Sequence, residues 1–283
     1  MPEVVAFGDN VVDCYADHGV MFPGGNALNV AVFVQRFGGR GAYLGAVADD
    51  PAGRQIRAAL HSEGVDISGL RIVPGRTAFC IIGSREGERE FLRADLGVSI
   101  IEPTTADLDR IARADAVHTG HSSHVDEHLT DFAQRARLSY DFAVIRDIAR
   151  IERIAPLCFL ASFSGGGLIE EDVARLQRVA LGAGARWCLV TRGRDGATLA
   201  GPDGMYRTGA APAKVVDTLG AGDTFIARCL VGLLRDEAPQ DVLRAAAAAA
   251  SETCGRLGGF GHPAPTQVDE SNARTLAEIY GAG

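Results

Sequence analysis

The chain has 283 residues, of which 47% are hydrophobic and 23% charged, enough apolar content for one large α/β domain or two small ones. Its formal net charge of −8 argues against a nucleic-acid or membrane-surface partner, because nothing attracts a polyanion to the molecule as a whole. The one lysine, Lys214, follows no glycine-rich loop, which excludes a P-loop enzyme and a protein kinase.

The cysteines and the first residues predict a cytoplasmic protein. None of the six cysteines forms a C-x-x-C pair, and most lie in apolar runs, which is typical of buried free thiols in a reducing compartment. We expect no signal peptide, because the chain begins without a basic region and an apolar segment. No stretch approaches the length of a membrane span.

Short apolar runs alternate with amphipathic stretches, and this pattern predicts strands that alternate with helices. The predicted strands, in chain order, span 4–8, 41–47, 116–119, 140–145, 158–161 and 187–191. Helices are predicted at 25–37, 51–64 and 169–181, with others beginning near 125, 222 and 240. Hairpins are predicted at 77–93, turning at 85–88, and at 197–206. Such alternation predicts a mainly parallel sheet covered on both faces, with ligands at the carboxyl ends of its strands.

The most informative motif is Asp217-Thr218-Leu219-Gly220-Ala221-Gly222-Asp223, which opens a predicted helix. Gly220 and Gly222 permit a turn of backbone amides, and amides at a helix N-terminus form an anion site. A carboxylate at its rim, Asp223, is suited to take a proton from a hydroxyl that attacks a phosphoryl group. Taken alone, the same string also describes an ordinary helix start capped by Asp223.

The motif resembles the C-terminal signature of the ribokinase-like (PfkB) sugar kinases. Residues 24–31, Gly-Gly-Asn-Ala-Leu-Asn-Val-Ala, are similar to the family's N-terminal signature, and the opening at 7–13 also matches. The resemblance covers nearly the whole chain. It implies a single domain, 1–283, built as a three-layer α/β/α sandwich with a mainly parallel central sheet. It also implies a small β lid within 10–24 and 71–97, and a homodimer.

The resemblance implies that ATP, with Mg²⁺, phosphorylates a primary sugar hydroxyl. Asp223 becomes the catalytic base, and the amides of Gly220, Ala221 and Gly222 become the anion hole. The residues that it assigns to the sugar are Asp9, Asp13, Gly25, Asn26, Asn29 and His118. Helix capping is the alternative role for Asn26 and Asn29.

The nucleotide side is implied by Thr191-Arg192-Gly193-Arg194-Asp195-Gly196, which resembles the family's Thr-x-Gly-x-x-Gly loop. The nucleotide contacts carried over are Thr191, Gly193, Gly196, Asp217, Ser251 and Gly258. The family's Asn-x-x-Glu motif, which places magnesium, is absent from residues 161–167, so the metal ligands are unknown, with Glu170 or Glu171 as possible substitutes. The loop at Asp217 leaves a potassium requirement open.

The short connection between Asp9 and Gly24 resembles that of bacterial fructoselysine 6-kinases, which suggests a sugar or sugar-amine substrate such as an Amadori product. Arg89 and Arg93 lie four apart on a predicted strand, so regular alternation puts both on one face, where they could meet this substrate. The alternative is a solvated charged hairpin.

The sequence leaves two other functions open. A sugar sensor with weak or lost phosphoryl transfer would explain the missing Asn-x-x-Glu motif, although the intact Asp223 argues against it. A zinc hydrolase is the more remote alternative, because His124, Glu127 and His128 spell H-x-x-E-H and a helix would bring the two histidines to one face.

Overall fold

The structure of the protein is a computed structural model that describes residues 1–85 and 88–280, without the side chains of residues 84, 85, 88, 89, 276 and 280. The centre of the predicted turn at 85–88 lies outside the described residues. In the described part, no helix is both long and apolar enough to cross a bilayer.

The strands and helices alternate over most of the chain. The strands are β1 (Glu3–Phe7), β2 (Val11–Tyr15), β3 (Val20–Gly24), β4 (Arg40–Leu44), β5 (Ala46–Val47), β6 (Arg71–Ile72), β7 (Phe79–Arg85), β8 (Glu88–Asp95), β9 (Ala116–Gly120), β10 (Arg137–Asp141), β11 (Cys158–Ser164), β12 (Trp187–Thr191), β13 (Ala197–Gly201), β14 (Gly204–Thr208) and β15 (Ala264–Pro265). The α-helices are α1 (Asn26–Arg36), α2 (Pro51–Ser62), α3 (Thr105–Ile111), α4 (Leu129–Ala133), α5 (Ile148–Ile154), α6 (Glu170–Ala183), α7 (Ala221–Leu234), α8 (Pro239–Cys254) and α9 (Leu276–Tyr280).

The central sheet has the strand order β14-β13-β12-β11-β10-β9-β1-β4. Its strands are parallel from β12 to β4, and β13 and β14 add an antiparallel edge. Successive residues of β1 enter different cores, since Val4 packs with α1, α2, α7 and α8 whereas Val5 packs with α3 to α6. The predicted three-layer α/β/α fold with a mainly parallel sheet is therefore confirmed.

A second sheet, with the order β15-β3-β2-β7-β8, stands beside the central one. Four of its strands come from the two ranges predicted to contain the lid. β2 pairs with β3 and β7, so the short connection after Asp9 forms a compact hairpin that joins the later hairpin of β7 and β8.

Three predicted elements are shortened or divided by a backbone turn in the structure. β10 ends at Asp141 instead of spanning 140–145, because Ala143 takes a left-handed φ of 49° although the apolar run continues. The helix expected near 125 begins only at Leu129, after a short 3-10 turn. The strand predicted at 41–47 is divided at Gly45 into β4 and β5. In the two strand regions, continuous apolarity concealed a break in the backbone.

Candidate active site

A cavity of about 310 Å³ lies between the carboxyl edge of the central sheet and the second sheet. Six of the predicted site residues line it, namely Asp9, Asp13, Gly25, Asn26, Asn29 and Asp223. They come from the β1–β2 connection, from β2, and from the first turns of α1 and α7. The two signature motifs, almost 200 residues apart in the chain, therefore meet at one wall of the cavity.

Asp223 is held by two amide groups of α1. Nδ2 of Asn26 donates to its Oδ1 at 2.8 Å, and Nδ2 of Asn29 donates to its Oδ2 at 2.7 Å. Burial raises the pKa of Asp223 to about 6, although both hydrogen bonds favour the ionised form. A carboxylate with this pKa is ionised at neutral pH and still basic enough to accept a proton during transfer.

Gly220 turns the chain into α7. Its φ of 74° lies in the left-handed region, and a Cβ there would stand 2.7 Å from Cα of Gly259. The following amides open a 14-residue helix, where the first turn has no intrahelical acceptors. The Ala221 amide donates to the Thr218 carbonyl at 3.3 Å. The backbone thus forms the turn that an anion hole needs, with Asp223 in the same first turn.

Asp9 organises the start of α1. Its carboxylate accepts hydrogen bonds from the amides of Asn26 at 2.8 Å and Ala27 at 3.3 Å, and from Oγ of Ser123 at 2.8 Å. Glycine is required at position 25, because its φ is 107° and a Cβ there would lie 2.7 Å from Cα of Asn10. Asp9 therefore lines the cavity while also fixing the loop that carries Asn26.

Asn10 is a lining residue that the sequence reasoning missed. It is 2% exposed, and its Nδ2 donates to the Tyr43 hydroxyl and the Ala46 carbonyl. Oδ1 of Asn10 and Oδ1 of Asn29 are buried without a hydrogen-bond donor among the described groups. Two residues that line the cavity therefore each have a buried acceptor that the described protein groups leave unsatisfied. The Gly8-Asp9-Asn10 string was the signal that could have found Asn10.

His118 does not line the cavity. Its ring is completely buried, with Nε2 3.1 Å from Oδ1 of Asn26 and Nδ1 2.9 Å from Oγ of Ser139. The predicted contact between His118 and sugar is replaced by a contact with Asn26, because β9 directs this side chain beneath α1.

Asp141 is a second carboxylate that the sequence reasoning missed. Its Oδ2 accepts a hydrogen bond from Nδ2 of Asn26 at 3.0 Å, so this amide bridges Asp141 and Asp223. Burial, with the nearby charges of Asp223 and Asp9, raises the pKa of Asp141 to about 7. The predicted strand at 140–145 concealed it, since β10 ends at Asp141 and therefore delivers it to the carboxyl edge.

Asp13 lies on β2, is 4% exposed and lines the cavity.

Neither predicted arginine is placed at the cavity among the described residues. Arg93 forms an ion pair with Glu270 and is not among the lining residues described. The β7–β8 register shifts next to Ile81, which breaks the alternation assumed for Arg93. The side chain of Arg89 lies outside the described residues.

The predicted nucleotide loop follows the end of β12 at Thr191. Gly193 and Gly196 have φ of 56° and 83°, and a Cβ on Gly196 would stand 2.0 Å from the carbonyl oxygen of Thr208. The oxygen of Gly196 accepts a hydrogen bond from the Arg192 amide, which closes the loop. Both glycines therefore serve a tight turn beside the antiparallel edge.

The other residues predicted to bind nucleotide contact protein groups. Asp217 accepts hydrogen bonds from the amides of Leu219 and Gly258, each at 3.1 Å. Oγ of Ser251 donates to the carbonyl of Pro212 at 2.6 Å. These contacts fix the loops on both sides of α7 and α8, and nucleotide binding by the three residues stays a prediction.

The geometry is unsuited to a catalytic zinc site. His124 has a left-handed φ of 53°, and α4 begins only after His128, so no helix places the two on one face. His128 instead pairs with Glu102. Among the described residues, no group of three or more His, Cys, Asp or Glu could hold a metal ion. The described residues therefore do not form the site that the hydrolase alternative requires.

No preformed magnesium site replaces the missing Asn-x-x-Glu motif within the described residues. Glu170, suggested as a substitute, forms ion pairs with Arg192 at 2.5 Å and Arg207 at 3.1 Å. Glu170 is therefore engaged by two arginines, and Mg²⁺ binding stays a prediction.

The fold and the cavity define a carbohydrate kinase of the ribokinase-like class. The chain matches the pfkB family carbohydrate kinase over residues 2–267, and it belongs to that family. The prediction of a carbohydrate kinase is thereby confirmed.

Two curated relatives align over most of the chain. It is 34% identical to fructosamine kinase FrlD of Bacillus subtilis (strain 168) over 282 residues, covering 98% of this chain and 99% of the relative. It is 31% identical to fructoselysine 6-kinase of Escherichia coli (strain K12) over 240 residues, covering 82% and 89%. The second relative has the name of the branch that the sequence resembles.

The fold is shared with solved structures at lower identity. Arabidopsis thaliana ribokinase, complexed with ribose and ATP, superposes with a TM-score of 0.79 at 20% identity, covering 92% of this chain and 95% of that one. The Vibrio cholerae O395 fructokinase, with fructose, ADP and calcium ion bound, gives 0.73 at 22% identity, covering 93% and 96%.

Proposed function

We propose that the protein transfers the γ-phosphoryl group of ATP to a primary hydroxyl of a sugar-amine conjugate of the fructosamine type. The observation that carries this proposal is Asp223, held on the cavity wall between the amides of Asn26 and Asn29, in the first turn of α7. A base and a helix N-terminus stand side by side, as in-line phosphoryl transfer requires.

The lining of the cavity favours a hydroxylated, positively charged substrate. Oδ1 of Asn10 and Oδ1 of Asn29 are acceptors for sugar hydroxyls. The described lining residues include four aspartates, Asp9, Asp13, Asp95 and Asp223, and no lysine, arginine or histidine. A protonated secondary amine complements such a lining. The names of the fructosamine and fructoselysine kinase relatives support the same substrate class.

In the proposed reaction, Asn26 and Asn29 hold the Asp223 carboxylate toward the sugar hydroxyl. Asp223 accepts the hydroxyl proton as the oxygen attacks the γ-phosphorus, and the bond to the ADP oxygen breaks. The amides of Gly220, Ala221 and Gly222 stabilise the negative charge of the transferring group. When ATP binds with Mg²⁺, the metal would neutralise phosphate charge. The second sheet covers the cavity and excludes water.

The test is ADP release from Mg-ATP with fructoselysine, other Amadori compounds, fructose and ribose, with and without K⁺. We expect release with fructoselysine, and a loss of about 10²-fold or more in turnover for Asp223→Asn with substrate binding retained. Asp223→Asn turnover equal to wild type would rule out this base. Absence of release, with one sugar still raising Tm, would favour the sensor. A cytoplasmic location and a homodimer also remain predictions.

A further inference from the structure

Two buried side chains beneath the active site form a hydrogen-bonded chain that ends at Asp223. His118 on β9 and Ser139 on β10 are register partners, and both are completely buried. Nδ1 of His118 lies 2.9 Å from Oγ of Ser139, and Nε2 lies 3.1 Å from Oδ1 of Asn26. The mechanism above uses neither residue.

The direction of these hydrogen bonds follows from the donors available. A carboxamide oxygen accepts only, so Nε2 of His118 carries the proton and Nδ1 accepts from the Ser139 hydroxyl. Burial lowers the pKa of His118 to about 3, which keeps the ring neutral. With Oδ1 of Asn26 engaged, Nδ2 must face Asp141 at 3.0 Å and Asp223 at 2.8 Å.

We propose that His118, held by Ser139, is a positioning residue that orients the Asn26 amide and thereby sets the proton affinity of Asp223. If the side-chain amide of Asn26 were rotated by half a turn, its oxygen would face two carboxylates and Asp223 would lose a hydrogen-bond donor. The charged groups around Asp223 are Asp141 and Asp9, and Asp13 and Asp95 line the same cavity. Asn29 supplies the other hydrogen bond to Asp223. The inference rests on the proposed role of Asp223 as base.

The first test compares His118→Leu, which removes the donor, with His118→Gln, which keeps an N–H group at a similar reach. The measurement is the pH dependence of kcat with saturating fructoselysine and Mg-ATP. We expect the acid limb of the kcat–pH profile of His118→Leu to move to higher pH by about one unit, because a carboxylate that loses a hydrogen bond is more basic. Turnover would then fall about fivefold at pH 6 and less than about twofold at pH 8.

We expect His118→Gln to keep the wild-type limb. A structural role alone would lower Tm in both variants and leave the limb in place, and that result would overturn the proposal. A tenfold rise in the KM for sugar with an unmoved limb would also overturn it, because it would make His118 a sugar contact.

A second measurement does not depend on activity. In ¹⁵N-histidine-labelled wild-type protein, the seven histidines are resolved by their imidazole nitrogen shifts, and the His118→Gln spectrum assigns one of them. We expect His118 to be the neutral Nε2–H tautomer and unchanged between pH 5 and 8. An Nδ1–H tautomer, or titration within that range, would overturn the inference. Full activity of Asp223→Asn would instead contradict the proposed function and leave this result standing.

Discussion

The hydroxyl of Tyr15, on the second sheet, donates a hydrogen bond to the carboxylate of Asp217, in the loop that leads into α7. The same carboxylate accepts hydrogen bonds from the backbone amides of Leu219 and Gly258. One buried side chain therefore joins the second sheet, which lines the cavity, to the turn at the proposed anion hole. The two parts of the site are linked before any ligand binds.

Tyr15→Phe should lower the free energy of unfolding by about 2 kcal/mol, since a buried hydrogen bond to a carboxylate is lost. The ring itself should stay in place, because it packs edge-on against Phe22 at 5.4 Å. Urea denaturation of the wild type and the variant measures the difference. Tyr206→Phe, on the edge strand β14, is the matched control and should change stability by less than about 0.5 kcal/mol. Equal effects of the two substitutions would contradict the assigned role of the Tyr15 hydroxyl.

Gly220→Ala should reduce both stability and turnover. An alanine there would need a left-handed φ of 74° and would bring Cβ to 2.7 Å from Cα of Gly259. We expect a loss of about 2 kcal/mol in unfolding free energy and at least about tenfold in kcat, because the following amides must shift.

Gly222→Ala is the control for that experiment. Gly222 lies within α7 and has nothing within 4 Å of an added Cβ. Its replacement should leave stability unchanged or raise it by up to about 1 kcal/mol, as alanine favours helix. If Gly220→Ala unfolded at the same urea concentration as wild type, the turn would not require glycine.

The pKa of Asp141 predicts a pH-dependent stability difference. Burial raises this pKa from 3.8 to about 7, so the folded state holds the proton more tightly than the unfolded state. The contribution of the Asp141 proton to the stability of the folded state is complete below about pH 4 and is lost as pH rises through about 7. The Tm of Asp141→Asn should therefore rise relative to the Tm of wild type as pH increases from 5 to 8.

The slope of that difference is the result to measure, because lost hydrogen bonds shift all points equally. Asp49→Asn, at a side chain that is 75% exposed, is measured over the same pH range as the exposed control. A constant difference for Asp141→Asn would mean that this carboxyl titrates in the folded protein as it does in the unfolded chain.

Local motifs allowed much of the site to be predicted, whereas contacts between distant segments did not follow from them. Gly220 and Asp223 belong to one short string, and a helix N-terminus has the same chemistry in any fold. Ser123 was missed because it meets Asp9 from 114 positions away, through the placement of β9 beside β1. Asp141 was missed for a backbone reason, since composition does not reveal that β10 ends before its apolar run does.

The same limit accounts for Arg93. In the β7–β8 hairpin Arg93 pairs with Ile81 and Phe91 pairs with Ile82, so Leu92 is an extra residue and strict alternation fails. Phe91 lines the cavity, whereas Arg93 pairs with Glu270, at 52% and 40% side-chain exposure.

Arg93→Ala should leave the KM for sugar within about twofold of wild type and reduce stability by less than about 1 kcal/mol, as expected for an exposed ion pair. Steady-state kinetics with fructoselysine measure the first quantity, and Asn29→Ala is the positive control, because its side chain contacts both Asp223 and the cavity. A tenfold increase in KM for Arg93→Ala would instead show that Arg93 contacts the substrate, as the sequence predicted. Arg89→Ala, measured alongside, tests the other predicted arginine, whose contribution to KM would then be separated from that of Arg93.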